Sequence, residues 1–331
     1  MARVVRFAEL GGPEVLELKD VEGEVPGPGE VRIRVRAIGI NRSEAMFRRG
    51  EYWEQPKFPA GLGYEAAGTV DAVGSGVTGF AIGQPVASVG AFSMNEYGTY
   101  GDLVVLPATS VVPMPTDIDP VAGAAAWVSY LAAYGMLVEF GGLRAGDAVL
   151  ITAASSGVGL AAIQVAHRVG AVPIATTRTS AKRQRLLAAG ASEVIVTEED
   201  DLVGRVLHAT GGRGADLVID PIAGPGVEIL ARATKPAGML INSGALSGLP
   251  TPLPTANPYF TPIVTRPFIL MEILYDPQRL RRGVAFVNSG LRSGAIAPVV
   301  DRTFDLIDIV GAHRYLESNQ QFGKIVVTTD A

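Results

Sequence analysis

Short apolar, strand-like runs recur through the middle of the chain at Val149–Thr152, Val172–Thr176, Val194–Thr197, Leu217–Asp220 and Met239–Asn242, with helix-like segments between them. This alternation constrains the fold more than any other feature. Strands separated by helices at this spacing become parallel neighbours, because a tight hairpin can only return a chain antiparallel. The expectation is an α/β fold with a doubly wound parallel sheet. Phe268–Leu274 is a candidate sixth strand, and the proline-rich stretch Pro250–Pro267 reads as a loop or an interface element.

The chain ahead of this region has a different texture. In Val31-Arg32-Ile33-Arg34-Val35-Arg36 apolar residues alternate with arginines, the period of a strand with one buried and one wet face. Glycines and a proline then break residues 60–90 into short runs, as in a small β-barrel domain. Residues 120–138 are Ala-rich and helical in character, a helix-like stretch runs from Asp276 to about Leu291, and Val299–Phe304 and Lys324–Thr328 read as strands. The predicted domains are therefore 1–121, a central α/β domain at 122–276, and 277–331 as a return to the first domain.

Composition narrows the chemistry. A chain of 331 residues is long enough for two buried cores. It has no cysteine, which excludes disulfides, thiol nucleophiles, iron–sulfur clusters and thiolate-bound zinc. Its three histidines, His167, His208 and His313, form no close pair, so no metal site is expected. A net charge of −5 with no basic cluster gives nucleic acid or an anionic membrane no footing. Charged Arg3, Arg6 and Glu9 interrupt the N-terminus, and no run approaches the ~18–20 apolar residues of a membrane span, so a cytoplasmic protein is expected.

Val149–Thr152 leads into Ala153-Ala154-Ser155-Ser156-Gly157-Val158-Gly159, with a helix expected from there to about Val169. A dinucleotide site needs small residues at such a turn, because the backbone must approach the pyrophosphate and the helix N-terminus then carries its charge. Ala154, Ser156 and Gly159 occupy the three positions of the G-x-G-x-x-G pattern; a tight turn of another α/β protein would look similar. At the end of the second strand, an NAD site needs an acid for the ribose hydroxyl. This chain has Thr177-Arg178-Thr179, followed by Lys182. A guanidinium there suits a 2′-phosphate, so NADPH is the expected cofactor; Thr179 or Ser180 can also cap the next helix.

Gly39-Ile40-Asn41-Arg42-Ser43-Glu44, Gly63-Tyr64-Glu65-Ala66-Ala67-Gly68-Thr69-Val70, Ala153–Gly159 and Gly323-Lys324-Ile325-Val326-Val327 occur in this order along the chain. In these segments the chain resembles the zinc-independent members of the medium-chain dehydrogenase/reductase superfamily, close to the zeta-crystallin-like quinone oxidoreductases. The resemblance implies a GroES-like catalytic domain made from both chain ends, a central Rossmann domain and a homodimer. Zinc-containing relatives place Cys where Asn41 stands and His where Tyr64 stands, leaving Glu65 as the one ligand-type residue at these positions. Asn41 and Tyr64 are candidate catalytic residues; a loop-bonding amide and a core aromatic are the plainer readings.

The resemblance also implies that Tyr130 lies on the helix passing the nicotinamide, with Trp127 beside it, and that Ser243-Gly244-Ala245 holds the carboxamide through backbone groups; core aromatics and a plain turn are the default readings. The family's threonine is replaced by Ala132 in that helix. Tyr52, after Gly50, matches a tyrosine that serves as proton donor in related enoyl thioester reductases; it can equally wall the cleft. His313 is expected on a helix face. Without a metal, hydride addition to a quinone or conjugated enone is the easier chemistry, since the developing charge needs only a hydrogen-bond donor. The expected activity is NADPH-dependent reduction of such small electrophilic carbonyl compounds. Enoyl thioester reduction, alcohol or carbonyl dehydrogenation, and NADPH binding without turnover are the alternatives.

Overall fold

The computed structural model describes residues 1–254 and 262–330. It resolves into two compact units, Met1–Val128 with Val287–Ala331, and Ser129–Phe286.

In the first unit β1 (Ala2–Arg6) and β2 (Glu17–Val21) pair as a hairpin, and β3 (Glu30–Ile40) is the central strand of the barrel sheet. Along β3, Val31, Ile33 and Val35 are buried while Arg32 and Arg34 reach out to Asp71 at 2.7 and 2.6 Å. The predicted alternation therefore holds for the first half of the strand. From Ala37 to Ile40 both faces are covered and the alternation stops.

A short helix α1 (Arg42–Arg48) follows, then β4 (Glu65–Val73), β5 (Pro85–Ser88), β6 (Leu103–Pro107) and β7 (Val111–Pro113), all antiparallel to their neighbours. Helix α2 (Pro120–Ala124) lies against β3 so closely that a Cβ on Gly39 would stand 1.9 Å from the Ala124 carbonyl oxygen. This packing carries the unit to Val128, where the change in sequence texture suggested 121. Composition marks a change of element, whereas the unit boundary follows what the helix packs on.

In the second unit α3 (Trp127–Tyr134) leads into β8 (Ala148–Ile151), α4 (Gly157–Val169), β9 (Val172–Thr177), α5 (Arg183–Ala188), β10 (Glu193–Val196), α6 (Leu202–Ala209), β11 (Ala215–Asp220), α7 (Val227–Ala233), β12 (Thr234–Asn242) and β13 (Val264–Pro267). The six strands are parallel, in the order β10-β9-β8-β11-β12-β13, which is the 3-2-1-4-5-6 order of a Rossmann sheet. Leu150, Ile174, Ile195, Val218 and Leu240 lie in its buried core.

The sixth strand is a correction. It is Val264–Pro267, at the end of the stretch read as a loop, and the apolar run after it enters the short helix α8 (Met271–Leu274). Apolar runs of this length do not distinguish a buried strand from a buried helix. An edge strand tolerates the proline that argued against it. Within that stretch, 255–261 lie outside the described residues.

Helix α9 (Pro277–Ser293) contains the second changeover, at Phe286, ten residues beyond the expected boundary at 276. It leads to β14 (Val300–Asp305), α10 (Ile309–Glu317) and β15 (Lys324–Thr328), which pairs with β3 and so returns the chain to the barrel. Among the described residues no helix is long and apolar enough to cross a membrane.

Candidate functional site

In the Rossmann unit the expected cofactor residues gather at the carboxyl ends of β8, β9 and β12. This is where ligands bind in open α/β sheets, because strand order reverses between β8 and β11. Ser156 caps α4, its Oγ accepting the Gly159 amide at 3.0 Å. The hydrogen bonds closing this turn leave the amides of Gly157 and Val158 without an acceptor among the described residues. A Cβ at Gly159 would fall 2.6 Å from both Cα and the carbonyl oxygen of Ala154, so the helix approaches the turn only as glycine permits. Ala153 adopts φ +46°, a left-handed conformation uncommon for a residue with a side chain. Small residues, helix N–H groups and a tight turn make a cradle that fits a pyrophosphate.

Past β9, Thr177 Oγ1 donates to the Thr179 carbonyl at 3.2 Å. Thr179 precedes a 3₁₀ turn, Ser180–Lys182, without capping it through its side chain. Lys182 Nζ reaches Ser155 Oγ at 3.3 Å, joining this turn to the cradle. Arg178 is exposed, and no side chain among the described residues pairs with its guanidinium. After β12, Ser243 donates its amide to the Asp220 carbonyl at 2.9 Å, and a Cβ on Gly244 would lie 2.7 Å from the Pro221 oxygen, so this loop is pinned to the end of β11. Ala245 next to it is exposed. Asp220 itself accepts from Thr152 Oγ1 and from the Ala223 amide at 2.9 Å, linking β8 to β11 at the crevice. Tyr130 is buried, with its hydroxyl on Gln164 Oε1 of α4 at 2.7 Å, and burial pushes the phenol well above its usual range. In this geometry Tyr130 braces α4.

In the barrel unit Tyr64 is buried and Tyr52 half-buried, and their hydroxyls are 3.4 Å apart. Their rings belong to an aromatic wall. Tyr52 stands 5.7 Å from Trp53 and 6.4 Å from Phe47, and Tyr64 5.7 Å from Phe92. Trp53 remains 58% exposed, so this wall has an open end.

Asn41, the N-cap of α1, has little left to offer a ligand. Its Nδ2 donates to the Gly39 carbonyl and to Glu44 Oε1, each at 3.1 Å, and its Oδ1 accepts from Lys324. Glu44 accepts from the Asn41 and Tyr64 amides and from the Tyr100 hydroxyl. Burial raises the Glu44 carboxyl, while the Lys324 charge and these donors oppose the shift. His313 lies on α10, fully buried, 3.1 Å from Tyr100; desolvation lowers it to about 3, helped by Arg48 and Arg42, so it is a neutral core group.

Two members of this cluster carried a sequence signal. Glu44 stands three residues after Asn41, the spacing of a capping box, and Lys324 opens an otherwise apolar strand. Tyr100 had none. Among the described residues no three His, Asp or Glu side chains cluster as a metal would require, and the oxygens of Asn41 and Glu65 face an ammonium.

The presence of these two units agrees with comparison to known proteins. Residues 27–116 match the alcohol dehydrogenase GroES-like domain and residues 157–289 the zinc-binding dehydrogenase domain. A quinone oxidoreductase of Pseudomonas aeruginosa is 34% identical over 329 residues, covering 99% of both chains. A 2-haloacrylate reductase from a Burkholderia species is 29% identical, over 100% of this chain and 99% of that one. The crystal structure of Escherichia coli quinone oxidoreductase complexed with NADPH superposes with a TM-score of 0.89 at 29% identity, over 99% of this chain and all of the other. With a 3-2-1-4-5-6 sheet, a barrel built from both chain ends and full-length similarity of this degree, the chain belongs to the quinone oxidoreductases of the medium-chain dehydrogenase/reductase superfamily.

Proposed function

We propose that the protein is an NADPH-dependent reductase of quinones and other conjugated carbonyl compounds. The observation that carries this reading is the Tyr52–Tyr64 phenol pair set in an aromatic wall. Flat acceptors stack on such rings, and a phenol hydroxyl can meet the oxygen on which charge develops. The NADPH preference is supported by Arg178, an exposed guanidinium with no side-chain partner among the described residues, at the end of β9 where an acid would select NADH.

NADPH supplies the hydride when bound. The cradle at Ala154, Ser156, Gly157, Val158 and Gly159 would hold its pyrophosphate, Thr177, Arg178, Thr179 and Lys182 its 2′-phosphate, and Ser243–Ala245 its carboxamide through backbone groups. For an enone, the Tyr52 hydroxyl delivers the proton that the reduced carbon needs, and the resulting phenolate, held by the Tyr64 hydroxyl that donates to it, regains its proton from water. Quinol takes its proton from water. Asn41 acts by fixing the start of α1.

A cytoplasmic homodimer is part of the same proposal. It is supported by β13, whose outer edge pairs with no described strand and is open to a second copy; sedimentation equilibrium tests it. Steady-state NADPH oxidation with quinones, enones, enoyl thioesters and aldehydes tests the activity. Turnover of quinones or enones is expected. NADPH binding with no turnover of any acceptor would refute the reading.

A further inference from the structure

Lys324 and Glu65 are charged side chains withdrawn from solvent, with 5% and 0% of their side-chain surfaces exposed. They open β15 and β4, which flank the C-terminal end of β3. Between them β3 carries Gly39, opposite Glu65 in the register. A Cβ on Gly39 would fall 3.0 Å from both Glu65 Oε2 and Lys324 Cε. The missing side chain is therefore what lets the two charges meet across the intervening strand, at 2.7 Å between Nζ and Oε2.

The pair is more than a counter-charge. The same ammonium donates to Asn41 Oδ1, which dictates the rotation of that amide and directs its Nδ2 onto the Gly39 carbonyl and Glu44. Glu44 in turn holds the Tyr64 backbone amide at 3.2 Å. On the other side Glu65 Oε1 accepts the Val128 amide at 3.0 Å, tying in the first turn of α3. A buried ion pair is a poor source of net stability, since desolvation offsets the attraction, so one that also orders two helix entries suggests specificity of arrangement.

We propose that Lys324 is a positioning residue of the reductase reaction: its ammonium, bridging Glu65 and Asn41 across Gly39, sets the entry of α1 and through Glu44 the placement of Tyr64 and its phenol partner. This rests on the functional reading above. It differs from charge compensation alone, which any neutral pair would replace.

Two variants separate these, Lys324→Met and the double variant Lys324→Met/Glu65→Gln. The single variant strands a buried carboxylate and is expected to have the lower Tm; the double variant removes that charge and should recover most of it. The kcat for an enone should nevertheless stay about tenfold or more below wild type in the double variant, as when a group that orients a reacting residue is lost. Its KM for the enone and its Kd for NADPH should change less than about twofold, the pattern of an effect confined to the transition state. Wild-type kcat in the double variant would overturn the proposal, as would a double variant no more stable than the single one. If the wild-type protein reduces no acceptor, it is the functional reading that falls. The near-UV circular dichroism of the tyrosines then decides this inference: an altered signal in the Tm-restored double variant supports it, and a wild-type signal overturns it.

Discussion

Replacing Arg178 by alanine should weaken NADPH binding while leaving NADH nearly untouched. A charge-assisted hydrogen bond contributes ~1.5–3 kcal/mol, which is roughly 10- to 150-fold in Kd. The exposure of Arg178 argues for the lower end, because solvent and salt screen the contact over ~8 Å at physiological ionic strength. Lys182, half-buried on Ser155, retains part of the attraction. About tenfold is therefore expected for Arg178→Ala, with a further loss when Lys182→Ala is added. The guanidinium has no partner within the described chain, so stability should shift by no more than ~0.5 kcal/mol. Titrating the fluorescence of each reduced nucleotide, at low and high salt, measures both affinities on one preparation. The NADPH advantage should shrink as salt rises. Equal losses for NADPH and NADH, or a marked fall in Tm, would show that Arg178 supports the fold and does not read the phosphate.

Tyr52→Phe should lower kcat for enones by ~10²-fold or more while quinone turnover and NADPH affinity stay near wild type, which paired kinetics on one mutant preparation will check. Gly159→Ala forces a Cβ against the Ala154 backbone and should abolish tight NADPH binding, as isothermal titration would detect; unchanged affinity would mean the turn is not the pyrophosphate cradle. His313 is held near 3 against an ordinary 6.5, so the unfolded chain binds the extra proton between these values. Stability should then fall progressively as pH drops below 6.5, reaching its limit near pH 3, relative to His313→Gln, whose thermal unfolding should lack this slope. Activity should be indifferent to chelators and to added zinc, and metal analysis finding one tight zinc per chain would refute the metal-free reading.

The α/β repeat, the glycine turn and the Arg178 cluster were legible in the linear chain because each is local. A parallel βαβ unit, a helix cap and a phosphate-binding turn are built from residues within about thirty positions of one another, and short-range sterics and hydrogen bonding dictate them. Val264–Pro267 shows the limit of that reading. No apolar run marks Val264-Thr265-Arg266-Pro267 as a strand, and it became one on the open edge of β12, which no local pattern encodes.

The barrel cluster lay beyond the sequence for the same reason at greater range. Asn41, Glu65 and Lys324 were each visible as residues, yet their meeting depends on β15 returning from the far end of the chain to lie against β3. Asn41 read as either a substrate contact or a loop-bonding amide, and the sequence did not show that Lys324 takes its oxygen; His313 lies on a helix, as expected, but only the fold buries it against Tyr100. Sequence determined the two-unit plan and the cofactor chemistry through local backbone demands. Only the tertiary structure decided which polar atoms are satisfied internally, because desolvation and pairing of buried charges arise when distant segments close over them.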